Sequence, residues 1–178
     1  MTDVFIEQLV HRKKSAAEKT ISVIMVILTV FITIFSLFLW ASMPVTPISM
    51  ILRMVLMFFI VGIIYLCYRI VRSTNIEYEY AVTNGTLDID RIVAKSKRNK
   101  ILAVEIKQIE EFGKYAPADH ENRPYDKKLM VGGGMEHEPY YFVTRLPKFN
   151  KALVVFEPDE RTLNSVLKYV NRLNIVKK

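Results

Sequence analysis

Ionisable side chains are missing from residues 20–52: between Lys19 and Arg53 stands the 33-residue run TISVIMVILTVFITIFSLFLWASMPVTPISMIL. A water-soluble domain of this size has little room to bury a helix that is apolar on every side, and about 20 apolar residues suffice to cross a hydrocarbon layer of about 30 Å. The run therefore predicts a membrane-embedded protein. Cysteine is nearly absent as well. The single Cys67 excludes an intramolecular disulfide and any multi-cysteine zinc site; near the end of a second apolar run it fits a small buried hydrophobe or a site of reversible acylation. Also lacking are a Ser/His/Asp or Cys/His set, a metal-ligand cluster and an intramembrane carboxylate. No catalytic, cofactor-binding or metal-ligating residue is assigned.

Charge is unevenly placed. Residues 1–72 carry seven Lys/Arg against three Asp/Glu, and residues 73–178 carry eighteen against fifteen. The second half is close to balanced, which gives nucleic-acid binding little support. In the first half the bases flank the apolar runs. Arg12, Lys13, Lys14 and Lys19 precede the first, Arg69 and Arg72 follow the second, and Ala41 to Pro47 carry no charge. By the positive-inside rule this predicts a transmembrane hairpin over 20–72, with spans at about 20–42 and 48–68, in the plasma membrane with both termini cytoplasmic. Trp40 falls at the outer interface, so that Arg12, Lys13, Lys14, Arg69, Arg72 and Trp40 are the expected interfacial anchors. The first run is far longer than the roughly 7–15 residues of a signal-peptide core, and it reads as an uncleaved span.

Within the hairpin, Pro47 suits the first turn of the second helix, where its missing N–H costs nothing. Arg53 lies close enough to that start for its stem to run back to the interface and hydrate the guanidinium; a functional intramembrane cation is the alternative, but neither span offers it an acid. Gly62 is a weak signal for close approach of the two helices. Before the hairpin, Phe5, Ile6, Leu9 and Val10 recur at helical spacing, with Thr2 or Asp3 as a cap. Residues 1–19 thus read as an amphipathic helix in the headgroup region or as an extension of the first span.

After Arg72 the hydrophobic period becomes two. Ile76 to Val82 alternates as a half-buried strand, Asn84-Gly85 marks a two-residue hairpin, and Leu87 to Asp90 resumes as its partner. Asp88 and Asp90 share one face, as a solvated strand requires. Lys95 to Lys100 reads as a basic turn before the strand Ile101–Ile106, with a further short strand over Gln108–Phe112. Gly113 to Pro139 holds three prolines, three consecutive glycines, His120 and His137, and reads as a long loop. It lacks the Lys-Ser/Thr of a phosphate loop and the spacing of a zincin. Strands at Tyr140–Leu146 and Ala152–Glu157 follow. The last element is a helix over about 159–173, capped by Asp159, with Leu163, Val166, Leu167, Val170 and Leu173 as its buried stripe.

The stretch YEYAVTNGTLDIDRIVAKSKRNKILAVEIKQIEEF resembles the opening of a bacterial pleckstrin-homology-like domain, with its Tyr-rich strand, V-T-N-G-x-L hairpin and basic turn. FEPDERTLNSVLKYV is similar to the last strand and capping helix of such domains. The whole chain also resembles small two-span membrane proteins of gram-positive anaerobes, which implies no particular activity. The resemblance implies an α+β fold: a transmembrane helical hairpin, then an antiparallel sheet or split barrel over 73–178, closed by a C-terminal helix.

Three classes of function compete. The first is a membrane-anchored, non-enzymatic binding or scaffold module that meets a protein partner or the membrane surface. In it Lys95, Lys97, Arg98 and Lys100 are the candidate contacts to anionic lipid headgroups, against the plainer reading of a solvated turn. The second is a subunit of an oligomeric transport or channel assembly, which requires a polar helix face and association with further copies. The third is a membrane enzyme or its accessory, which requires a clustered titratable site. Only the first asks for nothing that is missing.

Overall fold

A computed structural model describes residues 5–134 and 137–176. The chain divides into two compact units: residues 14–75, and residues 1–13 together with 76–178.

The first unit is a pair of long helices, α1 (Ala16–Ser42) and α2 (Pro47–Ser73). Each has 27 residues, with mean hydropathies of 2.8 and 2.5. At 1.5 Å per residue each is about 40 Å long, enough to cross a bilayer. The Ser15 N–H donates to the Glu18 carboxylate at 3.0 Å, which starts α1 four residues before the expected span. Thr46 caps α2 by accepting from the Ser49 N–H at 3.2 Å, and Pro47 occupies the first turn as expected. The helix continues five residues past the expected end at Tyr68. Most of the less exposed positions recur in steps of three and four: Ser22, Met25, Thr29, Ile32 and Ser36 on α1, and Ser49, Arg53, Leu56, Ile60, Ile63 and Cys67 on α2, with Glu18, Thr33, Gly62 and Val71 also less exposed. Such spacing places these positions along one face of each helix. Arg53 serves the turn: its guanidinium donates to the Met43 carbonyl and lies 5.2 Å from the centre of the Trp40 ring. Gly62 is not a packing point, since a Cβ there would meet no heavy atom within 4 Å.

The second unit holds eight strands in two four-stranded sheets. The first sheet runs β1 (Phe5–His11), β2 (Ile76–Thr83), β3 (Thr86–Val93), β4 (Lys97–Glu105), antiparallel throughout. β1 corrects the sequence reading, which had an interfacial helix over 1–19. Phe5 pairs with Thr83 and His11 with Glu77. Strand alternation turns Gln8 and Val10 inward and leaves Phe5 and Leu9 exposed. The apolar residues that mimic helical spacing thus belong to opposite strand faces. The Thr2 or Asp3 cap lies outside the described residues. The domain is accordingly not 73–178 alone: it takes its first strand from before the helical hairpin.

Between β2 and β3, Asn84 and Gly85 have φ of 49° and 86°, the expected hairpin. The basic turn is shorter than read. Only Ala94–Ser96 turn, and Lys97, Arg98 and Lys100 lie on β4.

The second sheet is β5 (Glu111–Lys114), β7 (Tyr140–Leu146), β8 (Phe149–Phe156), β6 (Lys127–Met130), with β6 parallel to β8. The short strand expected at 108–112 is shifted, a 3-10 turn occupying Ile106–Gln108. The supposed loop 113–139 instead contains the end of β5, a helical turn α3 (Pro117–His120) and β6. It covers the outer face of the sheet, where Tyr141, Val143, Leu153 and Val155 pack with Tyr115 and Tyr125. The inner face supplies Phe142, Val154 and Phe156 to the main core, alongside Tyr80, Leu87, Ile89 and Phe112. Burial on both faces explains why β8 reads as a continuous apolar run rather than an alternating one.

The last helix, α4 (Glu160–Tyr169), starts at Asp159, whose carboxylate accepts from the Thr162 N–H at 2.7 Å. Val166 and Val170 enter the core, with Leu163 and Leu167 partly buried beside them. The stripe stops there. Val170 is extended (ψ 138°), and Leu173, expected to prolong the stripe, is 90% exposed in a 3-10 turn.

Candidate functional site

The four cations singled out in the sequence differ in their partners. Arg98 reaches across the outer face of the first sheet to Glu79 and to Asp90, at 3.1 Å from the latter. Lys100 lies 2.6 Å from Asp88, whose hydrogen bond and charge raise the pKa of its ammonium. From the opposite edge, His11 meets Glu77 at 3.0 Å. The face is therefore a row of acids on β2 and β3 held between bases on β1 and β4, as cross-strand pairing favours. Lys95 and Lys97 are exposed and make no ion pair among the described residues. Lys95 and its neighbour Ala94 have φ of 56° and 55°, a left-handed turn built without glycine.

The expected anchors divide between the two units. The Arg12 N–H donates to the Ile76 carbonyl at 3.1 Å, and the Lys13 N–H donates to the Gly133 carbonyl. Lys14 opens the helical unit, and on α2 Arg69 is exposed while Arg72 donates to the Tyr68 hydroxyl at 2.9 Å. Trp40 lies under Arg53 rather than standing alone.

The sequence reading missed a buried polar junction that joins β1 to the second sheet. The Gln8 amide donates to the Glu157 carbonyl at 3.0 Å and accepts from the Asp159 N–H at 2.8 Å. It so satisfies the backbone on both sides of Pro158, which has no N–H of its own. The Tyr80 hydroxyl donates to the Val131 carbonyl at 2.5 Å and accepts from the Glu157 N–H at 3.3 Å, and burial raises its pKa. The Glu157 carboxylate accepts from the Gly134 N–H at 3.0 Å. The three glycines allow these approaches. A Cβ on Gly132 would stand 2.6 Å from the Glu157 carboxylate, and one on Gly133 would collide with Val10 and stand 2.6 Å from the His11 carbonyl.

A pocket of about 370 Å³ opens beside β5, between Phe112, Gly113, Tyr140 and Tyr141 on the sheet, Leu167 on α4 and the final segment Ile175–Val176. Lys114, Asp119, His120 and Arg123 complete its lining. Arg123 is held by Glu111 at 2.8 Å. His120 is 2% exposed, stacked on Tyr115, edge-on to Tyr141 at 4.1 Å, with Nδ1 2.8 Å from the Tyr125 hydroxyl. Burial, then the Arg123 charge, lowers its pKa, so the imidazole is neutral at neutral pH. The clue in the sequence was the aromatic run Tyr115, His120, Tyr125, which loop composition obscured. Among the described residues no group of three or more His, Cys, Asp and Glu side chains is placed to hold a metal ion.

Comparison with curated proteins and with solved structures returned no match. The two long apolar helices, the paired sheets and the closing helix do have a family, which matches residues 2–175, almost the whole chain: this protein belongs to the bacterial PH-like domain family DUF6106.

Proposed function

We propose that the protein is a membrane-anchored, non-catalytic binding module. Helices α1 and α2 cross the cytoplasmic membrane with residues 1 and 178 on the cytoplasmic side, and the β unit holds a partner protein through the pocket beside β5. The orientation rests on the basic flanks and the uncharged turn between the spans. One observation carries the binding reading: a pocket of about 370 Å³ whose lining combines apolar Phe112, Tyr140 and Leu167 with polar Lys114, Asp119 and Arg123. That is the lining of a site that buries an apolar group and orients it by a few polar contacts. An anionic-lipid contact through Lys95, Lys97, Arg98 and Lys100 is the weaker reading. Arg98 and Lys100 are engaged by acids of their own sheet, leaving Lys95 and Lys97 to contribute about 1 kcal/mol each at a charged surface.

The test places benzoylphenylalanine at Tyr140 of the full chain in native membranes. A discrete adduct is expected, lost when Leu167→Trp fills the pocket and not formed from the same probe at Arg161. Adducts indifferent to Leu167→Trp would overturn the pocket reading. For orientation, Ser42→Cys in a Cys67→Ser background should label with an impermeant thiol reagent added outside; protection from it would reverse the assignment.

A further inference from the structure

Arg53 is the only Asp, Glu, Lys, Arg or His between Lys19 and Arg69. The helical unit gives it a carbonyl at Met43 and a ring face at Trp40, but no anion. Its Nε–H is buried and has no acceptor among the described residues. The one acid in residues 14–75 is Glu18, at the far end of α1, about 33 Å along the axis from Trp40. A second copy inserted in the same direction brings the same deficit. Charged side chains inside a membrane pair with a counter-charge or reach the interface.

Arg53 also heads a groove of about 400 Å³, lined further by Trp40, Met54, Met57, Phe58 and Val61. It stands on the second turn of α2, about 9 Å from the start of a helix of about 40 Å. Centred on a hydrocarbon layer of about 30 Å, such a helix holds Arg53 about 4 Å below the edge of that layer, from where its long stem reaches the headgroups. Met57, Phe58 and Val61 follow on the same helix, the last about 12 Å deeper. The groove is cationic at its headgroup end and apolar toward the midplane, which is the polarity of a phospholipid.

We propose that this groove holds one anionic phospholipid of the leaflet at the turn end of the hairpin. Its phosphodiester meets the Arg53 guanidinium, and an acyl chain lies along Met57, Phe58 and Val61. A zwitterionic lipid carries its own ammonium beside the phosphate; an anionic one supplies the counter-charge that the chain lacks. The site rests on the reading that α1 and α2 cross the membrane, and holds whichever side the turn faces.

Trp40 is the only tryptophan of the chain and lies 5.2 Å from the guanidinium, so its fluorescence reports the site. The test reconstitutes the full chain in phosphatidylcholine vesicles. A fraction of the lipid is replaced by phosphatidylglycerol or phosphatidylcholine brominated near the carbonyl end of its acyl chains, and quenching of Trp40 is followed. Phosphatidylglycerol should associate about fivefold more tightly than phosphatidylcholine, the attraction of one cation for an anionic headgroup. Arg53→Gln should remove this preference. Met57→Glu should remove it too, because it leaves Arg53 in place and sets a carboxylate one turn away. Arg69→Gln, at the other end of α2, should leave it unchanged. No preference in the native chain, a preference that survives Arg53→Gln or Met57→Glu, or one lost equally in Arg69→Gln would overturn the lipid site. Quenching by neither brominated lipid would instead overturn the spanning reading, and the site with it.

Discussion

Removing the helical hairpin and keeping β1 should leave a folded domain; removing β1 with it should not. The comparison sets residues 76–178 alone against residues 1–13 joined to 76–178 by a short Asn-Gly turn. The join is local, because the Arg12 N–H and the Ile76 carbonyl are 3.1 Å apart. Without β1 the chain loses Val10, 2% exposed, whose burial contributes about 2 kcal/mol. It also loses both Gln8 hydrogen bonds, and the orphaned Glu157 carbonyl and Asp159 N–H cost about 1–3 kcal/mol each. The total is about 4–8 kcal/mol, against a whole-domain stability of about 5–15 kcal/mol. Urea titration followed by circular dichroism should give a cooperative transition for the joined protein and a strongly lowered or absent one for 76–178. Equal midpoints would refute the place of β1 in the core.

Three further outcomes follow from particular contacts. Lys95→Gly should raise stability by about 1 kcal/mol in thermal melts, since the left-handed turn strains a side-chain-bearing residue; an unchanged or lowered midpoint contradicts the turn. Gly133→Val should destabilise by about 3 kcal/mol or more because its side chain would meet Val10 and the His11 carbonyl, read out as a lower urea midpoint. His120 has a lowered pKa, so the unfolded chain takes up its proton first. Stability is therefore full above about pH 6.5 and falls as pH drops below that value. His120→Phe should flatten this part of the pH profile, and an identical slope in both proteins would remove His120 as its source.

The helices were legible because a bilayer demands composition alone: no charge over residues 20–52 leaves few alternatives. The hairpin at Asn84-Gly85 and the cap at Asp159 were legible because each is a local rule carried by one or two residues. β1 was not, because Phe5, Ile6, Leu9 and Val10 satisfy a helical period as well as a strand's, and only the partner strand more than 60 residues away decides between them. β6 failed for the same reason: Lys127–Met130 has little strand character of its own and is extended because β8 offers it an edge. The four basic residues looked like one feature because they are neighbours in sequence. A strand sends neighbours to different partners, and the acids that neutralise Arg98 and Lys100 stand on β2 and β3.

The same logic bears on how the helical hairpin joins the two strands that flank it. Residues 14–75 are the loop between two paired strands, β1 and β2. As a flexible loop of 62 residues it would cost about 3 kcal/mol more to close than a two-residue turn, from the logarithmic dependence on length. Two antiparallel helices of equal length, 27 residues each, return the chain toward the end from which it left, so a folded hairpin lowers that cost. β1 is also made before the hairpin and β2 after it, so the β1–β2 register of seven residue pairs forms only once both spans have been synthesised. Assembly of the sheet is thereby coupled to the helices by chain order and by loop entropy, without any contact between the two units being required.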